Sequence, residues 1–587
     1  MSNLKYYLIT TADERTWKYD QPVIFLGKWC CLYNRKFLWQ EMDAITAEPY
    51  GLGQKMKDFD YAESRDLKEK LFPLLCKVLN QHHNMQCSER FWKIVLGHWF
   101  NRYVSVVLNR VKTLECCLNS YELSGTTSYY SDKYSLAPLD SNEAIWAFND
   151  DEWNNSLFIK ILKLLEVKNI EIEEIPIDSN KYKKNYTINN SSLGLLIIKW
   201  FYRNLASLAK YFMRDKDALF INTYLPKMHA IKLQLCLGQV PQLFIPSKEW
   251  QTKKTDRELR CNLSKLLILS EENDTHFRII CSLVFQLLPV CYLEDFHELS
   301  KYVQRLTWPK FPKFIFTSNS FDTNEMFKLW TAQKVESGVK YIVGQHGNNY
   351  GTHRYINSTI EESTSDKFIT WGWVDGLIQH TPSYIFKFNK KTFNPSGCLL
   401  LVEDTISSRK ETWDVTYEFE NYFNEQLLFV DSLNENPKKE LIVRLHHTFD
   451  LLRTYELSRW RDFDSDLTIE VGDIHINNLI SKSRLVVFSY DSTGMLENLS
   501  QNVPTLAFWQ NDLDHLRDSA KAHYQVLIDA GIVHLTPDSI ANKVNEIWDD
   551  IENWWQQDLV QDARNLFCSR YAKVSLNPIS ELKKLLN

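Results

Sequence analysis

Two short stretches carry the side chains best suited to chemistry. The first is Gly344-Gln345-His346-Gly347-Asn348-Asn349-Tyr350-Gly351, in which three glycines let the backbone come close to a ligand. Between them stand an imidazole, a glutamine amide and two asparagine amides. An imidazole titrating near pH 6.5 can take a proton from a hydroxyl or hydrogen-bond a sugar. The second stretch is Ser489-Tyr490-Asp491-Ser492-Thr493-Gly494-Met495-Leu496-Glu497. Small hydroxyls and a glycine there leave backbone N–H groups free at the head of a helix, where amides and helix dipole bind phosphate. Glu497, one turn in, can accept hydrogen bonds from ribose hydroxyls. Arg444 and His446-His447, after an earlier strand, offer a fork of donors and a cationic ring to phosphate or carboxylate. The plainer alternatives are a surface turn with one solvated histidine and a helix with an ordinary Ser cap.

A third group lies near the N-terminus. Thr11, Asp13 and Arg15 follow one apolar run, and Gly27 and Trp29 follow the next. Asp13 is a second candidate base, although an Asp after a strand is commonly only a helix cap. His98, on the apolar face of a helical stretch, reads as a satisfied core histidine.

Elements of α/β type must position these groups. Tyr6–Thr10, Val23–Leu26, Ala218–Tyr224, Lys313–Ser318, Tyr341–Val343, Asp366–Trp373, Cys398–Glu403, Leu441–His446, Leu485–Ser489 and Pro504–Phe508 are short apolar runs of strand length. Helical spacing dominates Tyr61–Leu118, Asp322–Lys334 and the tail, Ile540–Leu586. Open α/β sheets hold ligands beyond the carboxyl ends of their strands, where both stretches fall. Residues 120–190 are polar and read as loops and short helices inserted in the first domain, with Asn185–Ser192 flexible. Lys and Asn cluster before Pro395-Ser396-Gly397, which places a boundary near 375–396. The division expected is 1–380, 381–540 and a helical tail, 541–587, packing back on the lobes.

A chain of 587 residues suits about three to four domain-sized units. Net charge of −6 argues against a protein that coats nucleic acid. The twelve cysteines show no CxxC and no zinc spacing, so a reduced, cytoplasmic chain is expected. The apolar runs Ile279–Leu293 and Leu193–Phe201 are shorter than the about 18–20 residues that span a bilayer. At most a peripheral contact with the inner face of a membrane is expected. No metal site and no cofactor are expected.

The chain resembles bacterial cell-surface polysaccharide transferases. These carry a similar Gln-His-Gly loop followed by an Asp–aromatic–Trp–Gly strand, here Gln345-His346-Gly347 and Asp366–Gly372. Taken whole, it is similar to the O-antigen and surface-carbohydrate transferase family named after a spirochaete locus. The similarity runs through TTADERTW (10–17), FLGKWC (25–30), residues 80–100, GQHGNNYG (344–351), RLHHTFD (444–450) and the region 489–509. After Glu48-Pro49-Tyr50 this chain has Gly51-Leu52-Gly53-Gln54, where many relatives carry a Trp/Asp-containing acidic segment.

The resemblance implies an α/β, GT-B-like glycosyltransferase with two Rossmann-type lobes facing a cleft, the N-terminal lobe enlarged by helical insertions. It implies a nucleotide-sugar donor held by the C-terminal lobe through Arg444, His446, Ser489, Asp491, Ser492, Thr493, Gly494 and Glu497. The acceptor, a surface glycan or lipid-linked glycan, would meet Thr11, Arg15, Gly27, Trp29, Gln345, Gly347, Asn348 and Asn349. His346 or Asp13 would serve as base. The basic strand ends are compatible with a CMP-linked acidic sugar, against a UDP, GDP or dTDP hexose. The competing classes are a non-catalytic sugar-nucleotide or carbohydrate-binding protein and a GT-B-like epimerase or hydrolase.

Overall fold

The computed structural model describes residues 4–130, 135–177, 212–242, 255–267, 274–356, 358–387, 392–407, 409 and 418–587. Asn185–Ser192 and Leu193–Phe201 lie outside the described residues. Three parallel sheets follow one another along the chain, which defines an α/β fold. The first holds β1 (Lys5–Ile9), β2 (Val23–Phe25), β3 (Ala44–Thr46), β4 (Glu122–Tyr130) and β5 (Glu171–Pro176), in the order β3-β2-β1-β4-β5. The second holds β6 (Leu219–Ile221), β7 (Phe314–Thr317), β8 (Lys340–Gly344), β9 (Lys367–Thr370) and β10 (His380–Pro382), in simple succession. The third holds β11 (Cys398–Val402), β12 (Leu441–Arg444), β13 (Thr468–Glu470), β14 (Ser483–Phe488), β15 (Thr505–Phe508) and β16 (Val533–His534), in the order β13-β12-β11-β14-β15-β16.

The first 380 residues therefore carry two sheets where the sequence suggested one lobe with insertions. The reason lies in strand pairing: Leu219 of β6 faces Ile315 of β7, and neither strand extends the first sheet. The helix Glu89–Ser120 runs between the two, packing on Asp151–Leu164 of the first and on Glu325–Glu336 and Ile360–Thr364 of the second. Gly97 on that helix permits the approach, since a Cβ there would lie 3.1 Å from Ile360. Residues 120–190 differ as well, because β4 and β5 are strands within them. Their Thr, Ser and Glu content hid them. Gly125 lets β4 sit against its neighbours, since a Cβ there would be 2.9 Å from the Glu171 carbonyl.

Strand composition follows burial. KYIVG, CLLLV and SRLVVF are near-continuous apolar runs, as strands covered on both faces require. In the first and third sheets the strand order reverses, between β1 and β4 and between β11 and β14, which opens a crevice at those carboxyl ends. The second sheet has no reversal. The helix Pro578–Leu586 closes its back face, with Leu582 and Leu586 against Phe220, Phe316 and Ile369. The tail is stitched there by Lys573 N–H to the Trp371 carbonyl at 3.0 Å and Ile385 N–H to the Lys573 carbonyl at 2.8 Å.

Candidate active site between the second and third sheets

The loop after β8 is held from within. Gln345, expected on a cleft wall, is 2% exposed. Its carbonyl oxygen accepts from Trp371 N–H at 2.9 Å and Trp373 Nε1–H at 2.8 Å, and its amine donates to the Gly347 carbonyl at 2.9 Å. It shapes the loop and does not line a cleft. Asn349 takes φ +76° and Gly351 φ +72°, and a Cβ on Gly351 would meet the Trp373 ring at 2.4 Å. His346 is thereby set, half-buried, in an aromatic cage. It stacks on Tyr224 at 5.9 Å between centroids and meets Phe321 and Tyr350 edge-on. Burial, with Lys387 nearby, lowers its pKa to about 4, so the ring is neutral at physiological pH.

The two stretches singled out in the sequence touch. Asn348 N–H donates to Thr493 Oγ1 at 2.8 Å, and its side-chain amine donates to Asp491 Oδ1 at 2.7 Å. A Cβ on Gly347 would stand 3.2 Å from Thr493 Oγ1, so the glycine admits this contact. Several expected donor ligands prove to be struts. Asp491 also takes the Tyr524 hydroxyl at 2.8 Å and stands 3.2 Å from His515 Nε2. Ser489, 1% exposed, bonds the Tyr422 hydroxyl and the Val402 carbonyl. Ser492 caps the helix Thr493–Ser500 by accepting from Met495 N–H at 3.0 Å. Gly494 is needed for packing, since a Cβ there would be 2.7 Å from the Phe488 ring. The first amides of that helix, on Thr493 and Gly494, have no carbonyl within the helix to bond.

Beside this contact lies a cavity of about 510 Å³, walled by Tyr224, Leu225, Pro226, Lys227 and Lys387 from the second unit and by His475, Ile476, Asn477 and Glu497 from the third. Lys387 Nζ lies 4.6 Å over the Tyr224 ring and 3.8 Å from the Glu497 carboxylate. Asn319 donates to the Tyr224 hydroxyl at 2.7 Å. Of the residues proposed from sequence, Glu497 alone lines this cavity. Arg444 is drawn toward Glu470, at 3.6 Å, and donates to the Leu445 carbonyl. His446 pairs with Thr448 at 2.7 Å, and burial, then His447 and Arg444, lower its pKa to about 4. It is a neutral ring at pH 7, not the cation expected.

Glu403 and Asp404 follow β11, and buried Glu456 stands near them. Burial pushes Asp404 up to about 6 and, with the charge of Asp404 adding, Glu456 up to about 8; Glu403 rises with them. A folded pKa above the unfolded value of about 4.3 means that the folded chain holds the proton longer. Stability is then full at low pH and declines as pH rises toward 8. Glu456→Gln removes the share of this decline that Glu456 contributes: the variant should be more stable than the parent by about 1–3 kcal/mol at pH 8 and about equal at pH 5, read from denaturant midpoints.

The N-terminal group sits elsewhere, at the reversal of the first sheet. Asp13 is bonded by Arg15 and by the Tyr129 hydroxyl, at 2.8 Å, and caps a short 3-10 turn. Burial would raise its pKa, but Arg15 and Tyr129 outweigh this and lower it to about 2. A carboxylate so acidic is a poor base near neutral pH, which argues against Asp13 in that role. Thr11 is fully buried and accepts from Asp13 N–H at 2.8 Å. Trp29 donates to the Thr10 carbonyl and packs against Gly27, where a Cβ would fall 2.1 Å from its ring. The ring also underlies Arg409 of the third unit, at 5.2 Å.

Tyr224, Lys227, Lys387, His475 and Asn477 were missed from the sequence. Tyr224 ends a run already read as a strand, so its strand-end position was the available signal. The others follow no motif. Among the described residues no group of three or more His, Cys, Asp or Glu could hold a metal ion, and no helix is long and apolar enough to cross a membrane.

Parallel sheets with reversals at two carboxyl edges, and a cavity walled by two of the three units, describe an α/β protein of Rossmann-like sheets. The family model for the LIC12162 family of transferases matches residues 6–586, and the chain belongs to that family. No curated protein sequence matches it significantly. Similar solved structures include MurG of Acinetobacter baumannii (11% identity, 63% of this chain and 98% of that chain, TM-score 0.31). The wall teichoic acid polymerase TagF is another (11%, 66% and 94%, 0.28). The UDP complex of S. aureus MnaA is a third (12%, 54% and 87%, 0.30).

Proposed function

We propose that this transferase moves a sugar from a nucleotide-linked donor to a surface polysaccharide, O-antigen or related free or lipid-linked glycan in a GT-B-like arrangement. The observation that carries the reading is the seam itself, where the loop bearing a neutral histidine meets the head of the helix Thr493–Ser500 beside a cavity walled by both units. In this reading the acceptor hydroxyl oxygen bonds to the anomeric carbon as His346 Nε2 takes its proton. The bond from that carbon to the phosphate oxygen breaks, and its electron pair leaves with the nucleotide. The amides of Thr493 and Gly494 and the ammonium of Lys387 stabilise the departing charge. Glu497 and Asn477 hold hydroxyls, and Tyr224 gives an aromatic face. Lys227 and Lys387 match two anionic groups, whether a diphosphate or the phosphate and carboxylate of a CMP-linked acidic sugar. The unbridged cysteines suit a reducing, cytoplasmic setting.

The test is a thermal-shift panel of CMP-, UDP-, GDP- and dTDP-linked sugars, followed by product analysis with and without a glycan acceptor. The expected result is stabilisation by one nucleotide class and donor consumption that requires the acceptor. Stabilisation without turnover would assign a binding protein, and acceptor-independent turnover an epimerase or hydrolase. Lys387→Ala should weaken binding of the identified donor by about 1–3 kcal/mol by calorimetry, the scale of a hydrogen bond to a charged group. Unchanged affinity would remove Lys387 from the site.

A further inference from the structure

The base proposed above does not stand alone. His346 Nδ1 lies 3.1 Å from the Tyr350 hydroxyl, and that hydroxyl donates to Glu361 Oε1. The other carboxylate oxygen of Glu361 stands 3.5 Å from His98 Nε2, on the helix Glu89–Ser120. Above the titration of Glu361 the ionised carboxylate only accepts, so there Tyr350 donates to Glu361 and its oxygen accepts from His346 Nδ1–H. That fixes the tautomer and leaves Nε2 as the lone-pair nitrogen, which bonds no described residue.

Resting on the reading of His346 as base, we propose that Tyr350 and Glu361 form a proton relay behind it, with Glu361 as the final proton acceptor. When Nε2 takes the proton of the acceptor hydroxyl, the Nδ1 proton passes to the Tyr350 oxygen and the Tyr350 proton passes to Glu361. The histidine ends neutral in the opposite tautomer, the tyrosine neutral, and the carboxylate as the acid. No charge is left on the imidazole. Glu361 touches no reacting atom and is a positioning residue that also stores the proton. Its basicity suits this end point: burial raises its pKa to about 7, whereas burial holds His346 at about 4. Other ionisable groups near the chain of bonds are His98, Arg102, Asp322, Lys328, Tyr341, Glu362 and Lys387, all present in every variant below. Asp322 is already paired with Arg102 at 2.6 Å and Glu362 with His380 at 3.0 Å.

Glu361→Gln keeps the size and polarity of the side chain but cannot store a proton, and Tyr350→Phe cuts the relay. For the parent, kcat/KM should fall on the acid side near pH 7. In both variants the plateau should drop about 10- to 100-fold, and the acid limb should move below pH 6, toward the titration of His346 alone. Donor affinity should stay within about threefold. A substrate-free readout accompanies this: ¹⁵N spectra of His346 should show the Nδ1–H tautomer in the parent and lose that preference in Tyr350→Phe. An unchanged acid limb in Glu361→Gln, or an unchanged tautomer in Tyr350→Phe, overturns the relay. Full transfer activity in His346→Gln overturns instead the reading of His346 as base.

Discussion

Replacing His346 with glutamine is expected to lower the rate of transfer by about 10²- to 10⁴-fold, the usual worth of a positioned general base. Glutamine fills much of the same volume and keeps polar atoms toward Tyr350, so the aromatic cage of Tyr224, Phe321 and Tyr350 should survive. The melting temperature should change by no more than a few degrees. Donor affinity should change little, because the cavity wall consists of Tyr224, Lys387, Asn477, Glu497 and their neighbours and excludes the imidazole. The loss therefore falls on kcat and not on donor binding, which marks an interaction made in the transition state. A rate within tenfold of the parent would send the search for the base elsewhere. Asp13 would not inherit the role, since Arg15 and Tyr129 keep it ionised and weakly basic.

The strands that frame this site were readable because they are apolar, short and bounded by turn residues. Lys340–Gly344 and Ser483–Phe488 both fall where their composition put them. The division into units was less readable. Nothing local in LFI (219–221) says that it pairs with FIFT (314–317) rather than with the first sheet, because pairing across almost a hundred residues leaves no periodic signature. Site chemistry was legible at the level of stretches and misassigned at the level of atoms. Gln345, Ser489 and Asp491 have the right chemistry for a ligand, yet the fold uses their hydrogen bonds to hold loops and join units. A polar residue after a strand serves either purpose, and only its partners tell them apart. Lys387 and His475 were invisible for the converse reason, since they reach the cavity from segments without a motif.

Asp151→Ala is expected to destabilise the protein by about 3–5 kcal/mol, the cost of stripping the partner from buried charges. Asp151 belongs to the first unit and is buried, yet both its oxygens serve the third. Arg409 Nη2 lies 2.7 Å from one oxygen and Arg453 2.9 Å from the other. Arg409 is itself 5% exposed and donates to the Asn149 carbonyl at 3.0 Å. Removing the carboxylate would strip buried Arg409 of its ion-pair partner, where water cannot readily replace it, while the more exposed Arg453 can hydrate and still has Asp150 nearby. Asp151→Asn should cost less, because one carbonyl oxygen still accepts. The pH dependence has a definite sign. Burial would raise the Asp151 pKa, but Arg453 and Arg409 outweigh it and hold it below the usual value. The stabilisation is therefore present at neutral pH and lost as pH falls below about 4, so the gap in unfolding free energy between parent and Asp151→Ala should narrow in acid. Urea titrations at pH 7 and at about pH 2–3 measure both quantities. A gap under about 1 kcal/mol at pH 7 would mean that the first and third units are held together by other contacts, such as Ser407 Oγ to Asn149 Oδ1 at 2.8 Å, and by apolar packing instead. In that case the third unit would depend chiefly on its seam with the second, the one that carries the cavity.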